Sequence, residues 1–258
     1  MKTTVMQTFA IAQVTFRELI REKLLWSALI FAFFLLAISY ALAQISIYEP
    51  ARIALDFGAS AVGLAGSLMA VIIGGGLIAR EIRDRTLYLV LTKSIGRWQF
   101  VVGKLLGLHG VLVFNAILMY AVLAFVLLVS GGRMHVNYLY NMLLQFGEFF
   151  ILASVGVFFS CISTPILASI FTAGVWLIGH AMDDVNLAVE RISSPVVQTV
   201  FRYGAKVLPD LTTFNIKSQL SHDIPVPPGS VAWAVLYAAL FCTFMVAAAC
   251  AVFSRRDL

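Results

Sequence analysis

Charged side chains are scarce in this sequence. Asp, Glu, Lys and Arg make up 12% of the 258 residues, whereas 61% are hydrophobic. A soluble domain carries about a quarter charged residues, so a chain this apolar cannot bury all its hydrophobic side chains in one aqueous core. The composition indicates a membrane protein. The formal net charge of +5 therefore bears on its orientation in the bilayer and predicts no nucleic-acid partner.

Cysteine is rarer still, with three residues, and the sequence lacks the common catalytic motifs. Cys161, Cys242 and Cys250 lie in apolar runs without a CxxC neighbour, so they predict neither a disulfide framework nor a metal cage. The apolar frame also contains no nucleophile elbow, zinc motif or His–carboxylate cluster. These absences argue against an enzyme with its own active site.

Long apolar runs are what the sequence has in abundance. A hydrocarbon core of about 30 Å needs roughly 20 apolar residues in a helix. Six stretches reach or approach that length, at 25–47, 58–79, 105–129, 138–161, 166–182 and 231–253. We predict an all-α, polytopic membrane protein with six transmembrane helices in a single transmembrane domain, residues 1–258. The fifth stretch is short, so we expect it to start earlier or to be broken and packed against its neighbours.

Lys and Arg are distributed unevenly about these spans. With the N-terminus in the cytoplasm, twelve of the eighteen lie on the inner side. The other six are Arg52, Arg133, Arg191, Arg202, Lys206 and Lys217. The positive-inside rule then places both termini in the cytoplasm. Charges at 17–23 ahead of the first run indicate a retained anchor instead of a cleaved signal peptide.

Residues 1–24 predict an N-terminal amphipathic helix that lies in the membrane surface. Its apolar positions at helical spacing are Phe9, Ala12, Phe16, Leu19 and Ile20. Gln13, Arg17 and Arg21 lie on the opposite face. Either the helix only anchors the chain, or it also contacts a cytoplasmic partner.

The inner loop, residues 80–104, predicts a short cytoplasmic helix. Glu81 and Arg85 are four residues apart and can pair on it, Gly96 allows a turn, and a new helix restarts at Trp98 and runs into the third span. The apolar face of the short helix is formed by Leu87, Val90 and Leu91. Such a face is buried either by the membrane surface or by a groove in a partner protein.

Residues 78–97 (IAREIRDRTLYLVLTKSIGR), with Gly103 and Lys104 following, resemble the inner loop of ABC-2-type permeases. These are membrane subunits of bacterial ABC transporters, including those of the nitrous-oxide-reductase maturation and gliding-motility kinds. The family pattern carries over onto Glu81, Arg85, Thr86, Leu87, Leu91, Lys93, Ile95, Arg97, Gly103 and Lys104. Ser94 departs from it, because proline is common there. The segments 17–26 and 208–215 are similar as well.

The resemblance implies a role in transport. In such transporters the inner loop docks on a separate ATPase subunit and transmits its closure, and two permeases work with two ATPases. The expected docking residues are Glu81, Arg83, Arg85, Thr86, Leu87, Leu91, Lys93 and Arg97. ATP and magnesium belong to the partner ATPase, because Gly103-Lys104 lacks phosphate-loop spacing and Leu105 stands where a Ser or Thr would meet magnesium. We expect an exporter permease in the bacterial inner membrane, either a homodimer or a heterodimer.

Small residues recur along the second span. They are Gly66, Ala70, Gly74, Gly75 and Gly76. This spacing lets helix backbones approach closely in lipid. The alternative is that the triple glycine is a joint that lets the inner loop move.

Polar residues within the spans are few. Glu148 lies ten residues past Tyr138, about 15 Å deep at the usual helical rise. Asn141 and Gln145 share its helical face, and Asn115 of the third span lies at a similar depth. The patch is expected to line the translocation path or the dimer seam, or else to form interhelical hydrogen bonds.

The outer loop, residues 183–230, predicts an external amphipathic helix that begins at Ser194-Pro195 and ends before Pro209. It is expected either to cover the bundle as a lid, or to gate release or contact an extracytoplasmic accessory protein. Near the start of the outer loop, His180, Asp183 and Asp184 form a group without a fourth metal ligand, so no metal site is predicted.

Two other function classes stay open. One is a secondary transporter or channel, although ionisable groups in the spans are few and no inverted repeat of broken helices is evident. The other is a membrane anchor that recruits a cytoplasmic partner.

Overall fold

The protein is described here by a computed structural model that covers residues 2–45, 49–84, 96–190, 198–199, 204, 207–222 and 224–255. All regular structure within these ranges is helical. The helices are α1 (Lys2–Ile20), α2 (Lys23–Ile45), α3 (Pro50–Gly76), α4 (Ala79–Arg83), α5 (Arg97–Val129), α6 (Val136–Ile162), α7 (Pro165–His180), α8 (Met182–Glu190), α9 (Lys217–Ser221) and α10 (Pro228–Arg255), with a 3-10 turn at Thr212–Phe214.

Five helical segments are long and apolar enough to cross a membrane. They are Leu25–Ile45, Pro50–Arg83, Arg97–Val129, Val136–Ile162 and Pro228–Arg255. They coincide with five of the six predicted runs, and α5 starts at Arg97, close to the predicted restart at Trp98. The Gln99 side chain accepts a 2.6 Å hydrogen bond from the Gly96 amide and thereby caps this start. For the described residues, the predicted all-α architecture with several apolar helices of membrane-spanning length is confirmed.

The fifth predicted span, 166–182, is broken. Helix α7 has 16 residues, about 24 Å at 1.5 Å per residue, which is less than the roughly 30 Å of a hydrocarbon core. At Ala181 the chain bends by 70° into α8. The two helices together make at most one bent span, so the count is five or six.

Helix α3 is the central helix of the bundle. In its most apolar stretch 83% of the residues are buried, against 28% in α2 and 11% in α10. The backbones of α6 and α3 approach each other closely: a Cβ on Gly156 would lie only 2.9 Å from the backbone of Gly74 and Gly75. The outer helices therefore present most of their apolar surface to lipid or to another chain.

Helix α1 packs along the first turns of α5. A Cβ on Gly103 would lie 2.9 Å from the Thr8 carbonyl oxygen, and one on Gly107 would lie 2.7 Å from that of Ala12. The buried face of α1 is formed by Thr8, Ala12, Thr15 and Leu19. Ala12 and Leu19 of the predicted apolar face are among these buried residues, whereas Phe9 is 69% exposed. Close packing on glycines favours small residues at this contact.

The outer segment, residues 207–222, enters the bundle. Leu211 and Phe214 are buried, the Leu211 amide donates to the Gly179 carbonyl oxygen at 3.1 Å, and a Cβ on Gly147 would lie 2.7 Å from the Phe214 ring. This segment fills space that the short helix α7 leaves open. Most of the predicted external helix over 194–209 lies outside the described residues, which include only 198–199, 204 and 207–209 of it.

Candidate functional site

A polar stripe runs along one face of α6. Asn141, Gln145 and Glu148 are spaced as i, i+4 and i+7, and all three are buried, with Glu148 5% exposed. Glu148 is near the middle of the 27-residue helix α6, and Ser67, which faces it, is near the middle of the 34-residue segment Pro50–Arg83 that α3 and α4 form together. The stripe therefore lies deep within the bundle, as the sequence predicts.

Glu148 receives its partners from two other helices. The Ser67 hydroxyl of α3 donates to its Oε1 at 2.7 Å, and His180 Nε2, at the end of α7, lies 3.6 Å from the same oxygen. His180 reaches this depth because α7 ends there instead of continuing to the outer surface. The sequence placed His180 beside Asp183 and Asp184 at that surface, where both aspartates are exposed, and so missed this contact.

The rest of the stripe is only partly satisfied. Asn141 Nδ2 donates to the Tyr120 hydroxyl at 2.7 Å, Tyr138 donates to the Tyr120 carbonyl oxygen, and Gln145 Nε2 donates to the Ala59 carbonyl oxygen at 3.1 Å. In the part of the chain that the structure describes, no group donates to Asn141 Oδ1 or Gln145 Oε1. Buried acceptors without donors are rare in native proteins, so these two oxygens set the stripe apart from the fully paired polar groups around it.

Asn115, predicted as a partner for this patch, hydrogen-bonds elsewhere. Its Nδ2 donates to the Val111 carbonyl oxygen of its own helix at 3.0 Å. The residue is buried, so it lies inside the bundle, but the side chain that meets Glu148 is that of Ser67.

Lys217 brings to this site a positive charge that the sequence did not predict there. Its Nζ and the Gln145 carboxamide nitrogen both surround Gly63, at 3.4 Å and 3.1 Å from the position of a Cβ there. Its charge also acts on Glu148. The sequence offered one signal for this position, the segment 208–215 that precedes the lysine. Because this segment enters the bundle, it brings Lys217 inward.

A second charged cluster, the inner clamp, lies at the end of the bundle where α3 leads into α4. It is formed by Glu18, Glu22, Arg80, Glu81 and Lys104. Lys104, with 8% of its side chain exposed, pairs with Glu81 of α4 and, at 3.3 Å, with Glu18 of α1. Arg80 and Glu22 form another pair at 3.3 Å. The inner clamp therefore ties α1, α4 and α5 together.

Glu81 thus lies mostly inside the protein, with 17% of its side chain exposed. Arg83 is exposed and pairs with Asp84 at 2.9 Å, and this hydrogen bond holds the pKa of the Asp84 carboxyl below its ordinary value. Arg97 donates to the Phe253 and Ser254 carbonyl oxygens at 3.4 and 2.9 Å. The other predicted docking residues, Arg85, Thr86, Leu87, Leu91 and Lys93, lie outside the described residues.

The glycines of the second span lie at close helix contacts. A Cβ on Gly75 would lie 2.7 Å from the Ser169 amide nitrogen of α7, and one on Gly66 would lie 2.1 Å from the Phe149 ring. Ala70 is fully buried, and a Cβ on Gly76 would meet the Arg80 side chain. These contacts are those expected of a packing role.

The helix is nevertheless interrupted directly after these glycines. Helix α3 ends at Gly76 and α4 begins at Ala79. The freed amides of Ile78 and Ala79 donate to the Ser160 hydroxyl of α6 at 2.9 and 2.8 Å. The joint predicted at the triple glycine therefore coincides with a break that a neighbouring helix caps.

Within the described ranges, no three His, Cys, Asp or Glu side chains converge as a metal site would require. No protein-family model matches the sequence, and no curated protein matches it either.

Proposed function

We propose that this chain is the membrane-spanning permease subunit of an ATP-binding-cassette transporter of the exporter type. It moves its substrate by alternating access, driven by ATP hydrolysis on separate cytoplasmic ATPase subunits. It works with a second permease copy, identical or related, in the bacterial inner membrane with both termini in the cytoplasm.

The observation that carries the proposal is the anchoring of both stems of the inner loop. The stem at 79–84 is capped by Ser160 and joined to Lys104 through Glu81. The other stem, at 96–104, is held by Arg97 on the end of α10 and by α1 packing. Because both ends of the loop are held in place, a movement of a docked subunit is transmitted through the loop to α3 and α5. Together with the ABC-2 resemblance of 78–104, this supports ATPase docking on Leu87 and Leu91.

The test is purification of the tagged chain from membranes of its native cell. The intact chain should bring down an ATPase subunit with ATP hydrolysis that vanadate inhibits. The double variant Leu87→Asp with Leu91→Asp should lose that activity, since charge on the apolar face opposes burial in a groove. Leu187→Asp, on an exposed leucine of α8, is the matched control and should retain it. A correctly inserted protein that never carries an ATPase refutes the proposal.

A secondary transporter is the second candidate, favoured by the broken helix α7 and the Glu148–His180 contact at mid-depth. Broken helices and ionisable groups at the midplane are typical of ion-coupled carriers. Transport that persists without ATP and collapses when the proton gradient is removed would establish this alternative.

A further inference from the structure

A cavity of about 570 Å³ opens at the end of the bundle opposite the inner clamp. Its walls are the start of α3, the turn between α5 and α6, and the end of α9. Sites for small molecules have volumes of roughly 300–1,000 Å³. Helix α3 begins at this cavity and ends at the inner clamp, so the proposed orientation places the cavity on the outer side of the membrane. It has the size to hold a small molecule or a lipid headgroup from that side.

The ionisable side chains around this cavity are mainly basic. Arg52 and Arg133 line it from two different elements, together with the imidazole rings of His135 and His222. Among the described residues of the lining, Glu49 supplies the only carboxylate, and it pairs with Arg52 Nη1 at 2.6 Å. Arg52 Nη2 donates to the ring of His222. The carboxylate in the lining is therefore already taken up by one of the two arginines.

Close backbone packing holds the second arginine, Arg133, at the cavity. Gly131 turns the chain with a φ of 78°, and a Cβ on Gly132 would lie 3.0 Å from that of Ala51 in the first turn of α3. The turn therefore lies directly on the start of α3, and Arg133 shares the cavity with Arg52. In the described part of the chain, no carboxylate pairs with Arg133. Like charges in one cavity repel each other, and a bound anion relieves that repulsion.

Two further features of the cavity favour an anion over a cation. Helices α3 and α6 both begin here without a side-chain cap, so the positive ends of two helix dipoles meet at the cavity. The hydroxyl of Ser130, a buried residue of the lining, has no hydrogen-bond partner among the described residues. Asp56 lies outside this lining, on a smaller adjoining cavity, where it is exposed. An oxyanion supplies the acceptors that these donors lack.

We propose that this cavity is a binding site for an oxyanion group, a carboxylate or a phosphate, with the Arg133 guanidinium as its main partner. The planar guanidinium binds two oxygens of such a group side by side. Arg52 adds positive charge while it stays paired with Glu49. Leu55 and Leu127 give the cavity an apolar side, which suits a small amphipathic anion or a phospholipid headgroup. This inference goes beyond the proposed transport function and does not depend on it.

The first test measures phosphate binding to the purified chain in a neutral detergent. Sodium phosphate should raise the melting temperature in a saturable way relative to sodium chloride at equal ionic strength, since a ligand that binds the folded state stabilises it. Arg133→Gln should remove most of this rise, and Arg133→Lys should keep part of it. Arg17→Gln, which removes an exposed arginine of α1, is the matched control and should respond like the unaltered chain.

These variants also separate binding from general salt effects. Phosphate stabilises proteins by exclusion from their surface, and that effect is the same with and without Arg133. Because Arg133 is exposed, Arg133→Gln should fold, and its melting temperature without phosphate checks this. An equal rise in Arg133→Gln and in the unaltered chain overturns the proposal.

A second measurement distinguishes a lipid headgroup from a free anion. Dioctanoyl phosphatidylglycerol, a lipid that carries a phosphate, is titrated in the same assay. A midpoint concentration several-fold below that of phosphate, and raised by Arg133→Gln, would identify a lipid headgroup as the ligand. A midpoint at or above that of phosphate would identify a free anion. No rise in the melting temperature with either compound overturns the proposal.

Both measurements use the permease chain alone, without an ATPase subunit. Their failure therefore leaves the transporter proposal intact, while absence of an ATPase partner leaves the anion site intact.

Discussion

The two charged regions of the molecule satisfy their polar groups to different degrees. At the inner clamp the buried Lys104 has two carboxylate partners, and the amides freed by the helix break share the Ser160 hydroxyl. At mid-depth, Asn141 Oδ1 and Gln145 Oε1 receive no hydrogen bond from a described residue, and the contact between Glu148 and His180 is long.

This difference indicates that the inner clamp has a structural role and that the α6 stripe has a smaller one. Paired buried charges hold elements in one arrangement, because removing one partner leaves the other uncompensated. A buried acceptor without a donor costs desolvation free energy that no hydrogen bond offsets, so replacing a residue of the stripe removes little stabilising interaction. Substitutions should therefore harm stability most at the inner clamp and least along the α6 stripe.

The largest loss is expected for Lys104→Met. The methionine keeps the length of the side chain but leaves the Glu81 carboxylate buried without its cation, so the free energy of unfolding should fall by about 3 kcal/mol. Unfolding by SDS titration from mild detergent measures this. Adding Glu81→Met should restore most of the loss, and a double variant as unstable as the single one would show that the pair is not the cause.

The second-largest loss in the free energy of unfolding is expected for Gly75→Ala. Its Cβ would lie 2.7 Å from the backbone nitrogen of Ser169, so α3 and α7 must separate at a cost of about 1–3 kcal/mol. Gly174→Ala on α7 is the matched control, because no atom lies within 4 Å of its Cβ, and it should be neutral or slightly stabilising. Equal effects of the two changes in the same titration would contradict the packing role.

Ser160→Ala should cost about 1–2 kcal/mol, because the amides of Ile78 and Ala79 lose their acceptor. Hydrogen exchange followed by mass spectrometry should show faster exchange at 77–80. Ser154→Ala, which removes a donor to the Phe150 carbonyl oxygen and a contact with the Cys242 thiol but no bond to the break, should leave this exchange unchanged. Slow exchange in both variants would mean that Ser160 does not cap the break.

Glu148→Gln should have the smallest effect on stability. The amide oxygen still accepts from Ser67, so the free energy of unfolding should change by about 1 kcal/mol or less, the net value of one hydrogen bond. The same SDS titration measures it. A loss as large as that of Lys104→Met would mean that the stripe, too, is a structural ion cluster.

Much of the fold could be predicted from sequence because it depends on local patterns. Apolar runs located five of the helices, and the start of α5 near Trp98 followed from Gly96. The face shared by Asn141, Gln145 and Glu148 followed from helical spacing alone. These features need no knowledge of which helices touch.

The features that were missed depend on contacts between distant parts of the chain. Ser67 and Glu148 are 81 positions apart, and the depth of His180 depends on where α7 bends. The face of α1 that packs on α5 could not be located from the sequence of α1, because the glycines of α5 determine it. From the sequence, Lys217 has the features of an ordinary outer-loop charge. Its position near the stripe follows only from the structure, in which the segment around Phe214 enters the bundle.

Alternating access requires ATP hydrolysis on the partner subunit to change the exposure of the buried segment around Leu220. The most direct measurement is the rate of maleimide labelling at Leu220→Cys, without endogenous cysteines, in the complex purified with its ATPase. The rate should change several-fold when ATP and vanadate trap the closed ATPase, and Leu87→Asp with Leu91→Asp should abolish the change. An identical rate with and without ATP, in a complex that hydrolyses it, would contradict the account.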